Sequence, residues 1–411
     1  MLDDLFLLSQ NFLEINNRKY VRYFLRSNRL NNRFSIIIGQ RGIGKTTIII
    51  QYILSKYKQD IFTNKAIYVQ ADHFMVRKYS LYEIAEVFSN YGGELICFDE
   101  IHKYHDWSME LKSINDTFPE LKIIASGSSA IEISKGTHDL SRRAIVYKLN
   151  GVSFREFVEL SQNLEFMNYT IEDIVQYHQD ICNSIIRKLD KKNKKVLPLF
   201  KKYLQYGYYP YYLEYGDKKL FYLTLEQNVH TVLESDLLTI YPHLTGNSVK
   251  KIKKLLSVIA SSVPFTPDLQ RLKIMLDIGD QRTLKNYFKY LEDAGIIAIL
   301  NKGGKGLKEL EKPDKIYLNN TNLMYALQNL NNAETGNIRE TFFINMAGSK
   351  HKVSTPEKGD FLVDNKYIFE VGGRNKDFRQ IKNLKNSYLA LDDIEIGIGN
   401  KIPLWLFGFL Y

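Results

Sequence analysis

A chain of 411 residues is too long for one ordinary core and calls for two or three domains. Its 45% apolar and 25% charged residues are those of a soluble globular protein, and no apolar stretch approaches the roughly 18 residues needed to span a bilayer. The net charge of +10 favours polyanionic partners, and the two cysteines, Cys97 and Cys182, exclude a disulfide framework and fit a reducing cytoplasm.

The first residues, Met1 to Phe6, carry acid where a secretory signal needs base. The apolar run Phe34 to Ile38 predicts a strand, and Thr47 to Tyr57 predicts a helix. Between them Gly39, Gln40, Arg41, Gly42, Ile43, Gly44, Lys45 and Thr46 match the P-loop pattern in full, with Thr47 opening the helix. A chain that leaves a strand, turns through glycines and enters a helix presents backbone N–H groups and the positive helix end to an anion. Lys45 is placed to reach the β and γ phosphates and Thr46 to ligate magnesium, so a nucleoside triphosphate with Mg2+ is the expected cofactor.

The runs Ala66 to Gln70, Glu94 to Phe98, Leu121 to Ala125 and Ala144 to Leu149 read as buried parallel strands separated by helices. The Glu94 run ends in Asp99 and Glu100, an apolar strand followed by two acids. Asp99 is positioned to hold magnesium and Glu100 to polarise the attacking water. Ser126 and Ser128 follow the next strand; either hydroxyl suits a γ-phosphate sensor, with Ser126 preferred, and the competing reading is a turn capping a helix near Ala130. Arg142 and Arg143 precede the last strand, where an arginine can neutralise charge on the transferred phosphoryl group. His102 and His105 lack a third ligand at useful spacing for a metal.

Taken together, the run Asp99 to Lys103 followed by Trp107, the run Leu121 to Ser129, and Arg143 leading into Val152 to Phe157 resemble a large group of prokaryotic AAA-type ATPases. In that group a C-terminal region of unassigned role follows the ATPase module. The resemblance implies an α/β P-loop NTPase with a parallel sheet, a preference for ATP, and a catalytic role for Arg143. It departs in Arg142, where the family usually has glycine, and in His102, where it often has glutamine.

Phe157 to Leu204 reads as helical and highly charged, and the aromatic run Tyr203 to Pro210 as core packing. From Ser248 the pattern is that of a winged helix. A helix over Val249 to Ser262 is followed by a second capped by Thr266 with Pro267 at its first position, and by a third from Asp280 to Ala294 that stops at Gly295. Strands Ile296 to Leu300 and Lys315 to Asn319 would flank a basic wing at Lys302 to Gly306. The third helix buries Leu284, Tyr287, Phe288 and Leu291 and presents Arg282, Lys285, Asn286 and Lys289 as the candidate DNA-reading face.

Farther on, Gly359 to Val363 and Tyr367 to Val371 alternate like a hairpin turning at Asn365 and Lys366, bringing Asp360 near Glu370. With Glu340 on a preceding helix, this looks like the restriction-endonuclease-like core, but Gly372 stands where its nucleases carry lysine, which implies a degenerate site. The expected divisions are an ATPase domain over 1–155, a helical connecting region over 156–245, a winged helix over 246–330 and the nuclease-like domain over 331–411. The expected activity is magnesium-dependent ATP hydrolysis driving a C-terminal region that contacts DNA. The alternatives are a slow nucleotide-gated switch acting on a protein partner, and a nucleoside-triphosphate-dependent nuclease. If the arginine comes from a neighbouring subunit, the active form is a homo-oligomer.

Overall fold

Short runs of branched apolar residues build the first sheet. In the computed structural model, which describes residues 1–28, 30–128, 140, 142–302, 312–328 and 335–411, these runs form β1 (Phe34–Ile38), β2 (Ala66–Gln70), β3 (Leu95–Asp99), β4 (Lys122–Gly127) and β5 (Ile145–Lys148). All pair in parallel in the order β2-β3-β4-β1-β5. Every residue of β1 and β3 is buried, the mark of a sheet covered on both faces. Alternate side chains (Ile36 and Ile38, Ile67 and Val69, Ile96 and Phe98) share one core with Leu5 of α1 (Leu2–Ile15). Ile84 and Phe88 of α4 (Leu81–Asn90) and Leu111 and Ile114 of α5 (Trp107–Thr117) complete it. The strands lie where the sequence indicates, with bounds shifted by a residue or two.

By its contacts the chain divides into two units: Met1–Asn150 with Thr231–Gly246, and Gly151–His230 with Asn247–Tyr411. The expected connecting region over 156–245 is therefore not one body. Its helices Phe154–Gln162, Ile171–Asp190 and Val196–Tyr206 belong to the second unit, whereas Thr231–Gly246 belongs to the first. The expected boundary near residue 246 falls where the chain passes from the first unit back to the second, between Gly246 and Asn247, whereas the one near 331 separates no compact units.

Within the second unit three helices, Gly246–Ala260, Leu269–Leu276 and Gln281–Asp293, precede the antiparallel pair β6 (Ile297–Leu300) and β7 (Lys315–Leu318). The middle helix is capped by Asp268, whose carboxylate accepts from the Gln270 and Arg271 amides, and not by Thr266 as expected. Of the wing loop, residues 303–306 lie outside the described residues. A second sheet follows in the order β12-β11-β10-β9-β8. Here β8 (Val353–Ser354), β9 (Phe361–Val363) and β10 (Tyr367–Gly372) are antiparallel, while β11 (Ser387–Leu391) and β12 (Lys401–Pro403) run parallel to β10. The β9–β10 turn centres on Asp364 and Asn365, one residue earlier than expected: both adopt positive φ (52° and 54°), and the Lys366 amide closes the turn on the Val363 carbonyl at 3.0 Å. The terminal apolar run is mostly a buried 3-10 turn over Leu404–Phe409.

Aromatic packing dominates this unit. Phe154 touches Phe200, Tyr203, Trp405 and Phe409 with ring centroids 5.2–6.4 Å apart and is fully buried. The tyrosines of the Tyr203 run serve the core as expected: the Tyr203 hydroxyl donates to the Val152 carbonyl (2.8 Å), and Tyr208 and Tyr209 are buried. Truncating Phe154 to alanine should therefore destabilise the second unit by about 3–5 kcal/mol. The chain has two tryptophans, so denaturant unfolding followed by Trp405 fluorescence in a Trp107→Phe background isolates the effect; an unmoved midpoint would refute this account of the core.

Candidate nucleotide site

The P-loop takes the shape its glycines permit. Gly42 and Gly44 adopt φ of 80° and 95°, a region costly for other residues. A Cβ on Gly39 would lie 2.5 Å from Ile43 Cδ1 and 2.7 Å from the Leu149 carbonyl oxygen. The helix α3 (Lys45–Lys56) starts directly from Gly44 with no side-chain cap, which leaves its amino end to an anion. Lys45 is buried, and its ammonium donates to the Gly39 (3.0 Å) and Gln40 (3.1 Å) carbonyls across the loop. From outside the loop, buried Arg22 donates to the carbonyls of Ile43 (2.8 Å) and Asn150 (3.0 Å), pinning the turn to the end of β5.

Asp99, at the carboxyl end of β3, is the hub. Its Oδ2 accepts from the Thr46 hydroxyl (2.5 Å) and the Tyr68 hydroxyl (2.7 Å), and its Oδ1 from Ser126 and from the Glu100 amide (3.1 Å). Thr46 and Asp99 thus form an adjacent pair of hard oxygens that fits magnesium. Among the described residues no three His, Cys, Asp or Glu side chains converge as a metal site. A pair alone suits an ion that uses one or two protein ligands and takes the rest from phosphate and water. Ser126, and not Ser128, meets the hub; the Ser128 amide instead donates to His102 Nδ1 (3.4 Å). Ser129 and Ala130 lie outside the described residues. Tyr68 was missed by the sequence reading, since a tyrosine inside an apolar strand signals packing. Burial, with Asp99 beside it, pushes its hydroxyl far above the ordinary range and keeps it a donor.

Glu100 leaves the strand in the left-handed region (φ 55°, ψ 37°), a conformation a non-glycine residue adopts at a cost of roughly 1 kcal/mol. Its carboxylate lies 3.9 Å from Lys45 Nζ, 3.4 Å from Lys103 Nζ and 3.8 Å from His102 Nε2. Burial pushes the carboxyl up, but the positive charge of Lys45 first, then the facing His102 ring and the charges of Lys103 and Arg41, outweigh it and hold the group at about 2. Glu100 is therefore ionised and able to accept a proton across the neutral range. Lys103 is itself anchored by Asp72 at 2.5 Å. Neither Lys103 nor Asp72 was nominated from the sequence, where charged residues just past a strand read as solvated loop.

The other nominated residues lie elsewhere. Thr47, half-buried, follows the hub threonine in the first turn of α3. Arg143 precedes β5 at the amino-terminal edge of the sheet, opposite the P-loop, since Ile145 pairs with Ser35 at the start of β1 and the loop follows its end. It forms a two-point ion pair with Asp116 (2.7 and 2.8 Å), so the structure does not bring it to this chain's own nucleotide site. Arg142 beside it is exposed. On the helix Gln281–Asp293, Leu284, Tyr287, Phe288 and Leu291 are buried as expected. Arg282 and Lys289 are exposed, whereas Lys285 and Asn286 are half-buried, which narrows the nominated face.

Glu340, Asp360 and Glu370 are near enough for the charge of Asp360 to act on both glutamates, but among the described residues no three such side chains converge as a metal site. The Val371 amide donates to Asp360 Oδ2 (2.8 Å), the Tyr317 hydroxyl to Glu340 Oε2 (2.7 Å), and Lys376 Nζ reaches Glu370 Oε1 at 2.6 Å. The Lys376 side chain fills the space beside Gly372, where a Cβ would meet its Cβ and Cγ at 2.6 Å. Burial, aided by the neighbouring acids, pushes the carboxyls of Glu340 and Glu370 upward.

Residues 31–158 match the family model described as AAA domain, and residues 197–334 match one described as a domain of unknown function (DUF8612). An uncharacterized protein of Methanocaldococcus jannaschii is 26% identical over 394 residues, which span 88% of this chain and 80% of that protein. Among solved structures, a signal transduction ATPase with numerous domains and a tetratricopeptide repeat sensor from Pyrococcus horikoshii aligns at 14% identity and a TM-score of 0.30. That alignment covers 80% of this chain and 45% of the other. AMPPCP-bound DnaA from Aquifex aeolicus aligns at 14% identity and a TM-score of 0.27, covering 66% and 86%. No helix among the described residues is long and apolar enough to cross a membrane. With its complete P-loop, parallel sheet and family match, the stretch 31–158 is an AAA-type domain with the P-loop NTPase fold.

Proposed function

We propose that this protein binds and hydrolyses ATP with magnesium and that turnover changes the state of its C-terminal unit. The observation that carries the reading is the convergence of Lys45, Thr46, Asp99, Ser126 and Glu100 at the carboxyl ends of β1, β3 and β4. The P-loop amides and Lys45 hold the β and γ phosphates. Thr46 and Asp99 would hold magnesium, which neutralises charge on the phosphate oxygens when bound. Glu100 orients a water and takes its proton as the water oxygen bonds to the γ phosphorus and the bond to the bridging oxygen breaks. Ser126 fixes the orientation of Asp99. Arg143, at the far edge of the sheet, would serve a neighbouring protomer's nucleotide, which makes the working form a homo-oligomer.

For the C-terminal unit the leading reading is contact with DNA. Three helices followed by an antiparallel pair have the element order of a winged helix, and Arg282 and Lys289 offer exposed cations on its third helix. The alternative is a slow switch that signals to a protein partner. The cluster of Glu340, Asp360 and Glu370 reads as a degenerate nuclease-like site, since the ion pair between Lys376 and Glu370 occupies a carboxylate that a metal would need.

Steady-state ATP hydrolysis, with and without duplex DNA, tests the reading. Glu100→Gln should lower turnover by about 100-fold or more while ATP still binds; normal turnover would remove Glu100 from the mechanism. Lys45→Ala should weaken ATP binding by about 10- to 100-fold, and unchanged affinity would sink the P-loop assignment. Affinity for duplex DNA should fall steeply with salt and weaken in an Arg282→Ala, Lys289→Ala variant; no binding at low salt would move the reading to the protein-directed switch.

A further inference from the structure

A buried acid, Asp236, faces His102 beside Glu100. Asp236 closes a stretch of π-helix, Val232–Asp236, a distortion often found at functional positions. The stretch leads into the helix Leu237–Ile240 and lies in the Thr231–Gly246 segment, which belongs to the first unit although the chain on both sides of it belongs to the second. Asp236 is 3% exposed and His102 likewise 3%. Asp236 Oδ1 lies 3.6 Å from His102 Nε2, and neither atom has a hydrogen-bond partner among the described residues. Two buried polar atoms facing one another just beyond bonding distance are costly unless they close together or find another partner.

His102 has a second claimant. Its Nε2 is 3.8 Å from Glu100 Oε2. Because its Nδ1 accepts from the Ser128 amide, the neutral ring carries its proton on Nε2, and that proton can close on one carboxylate at a time. We propose that Asp236 is a positioning residue for ATP hydrolysis: it draws the His102 Nε2–H away from Glu100 and leaves the Glu100 carboxylate free for the attacking water. When Thr231–Gly246 shifts, Asp236 withdraws, His102 turns to Glu100, and the carboxylate is held away from the water. The segment thereby links the state of the second unit to hydrolysis without touching nucleotide. The inference rests on Glu100 acting on the water as set out above.

The experiment measures turnover, KM for ATP and nucleotide affinity in full-length protein. Asp236→Ala should lower kcat by about tenfold with KM and ATP affinity within about twofold, since orientation and not binding is lost. Asp236→Asn keeps an oxygen acceptor for Nε2–H and should recover most of the turnover. In a His102→Ala background, Asp236→Ala should cause no further loss, because the ring through which it acts is gone. If the alanine variant does not fold, Asp236→Leu, similar in volume but without an acceptor, replaces it in the comparison. Wild-type kcat in a folded Asp236→Ala, or losses that simply add in the double variant, would overturn the proposal. Glu100→Gln measured alongside separates the two failures: if it is inactive while Asp236→Ala is not, only this proposal falls; if it turns over normally, the role of Glu100 falls as well.

Discussion

The carboxylate of Asp99 is the interaction on which the nucleotide site depends. It sits at the end of β3 and accepts hydroxyl donors from α3, β2 and β4, so four elements are tied to one side chain. A buried carboxylate is tolerated when its lone pairs are filled, and here three hydroxyls and the Glu100 amide fill them. Those same donors fix where the carboxylate points, so stability and the proposed metal ligation use one set of bonds.

Glu100 follows from that anchor. With Asp99 immobilised, the next residue must leave the strand abruptly, and its left-handed backbone turns the chain into the short 3-10 turn Ile101–Lys103. That turn supplies His102 and Lys103, which face the carboxylate from one side while Lys45 faces it from the other. The surrounding cations more than offset the desolvation that burial imposes, so the group remains a base. Precise placement of such a side chain needs rigid support, and the hub beneath it supplies it.

The second unit is organised by different physics. Its aromatic side chains interlock from helices far apart in sequence and from the terminal 3-10 turn. The ion pair between Lys376 and Glu370 shows how a residue four places beyond Gly372 occupies the space the glycine leaves free. Pairing offsets part of the cost of burying the Glu370 carboxylate.

The sequence by itself determined the P-loop, the parallel strands and the acids at the end of β3, because strand-turn-glycine-helix spacing and apolar runs are local signals that backbone sterics and burial enforce. Three helices and a strand pair after residue 246 were legible for the same reason, though the cap at Asp268 and the turn at Asp364 were misplaced by one or two residues where two polar neighbours compete for one role. Tertiary structure alone decided that Tyr68 reaches Asp99, that Arg143 stands at the opposite edge of the sheet, and that Thr231–Gly246 belongs with the nucleotide unit. Each of these depends on which distant segments share a core. That is set by the summed burial of many side chains, and no short stretch of sequence carries it.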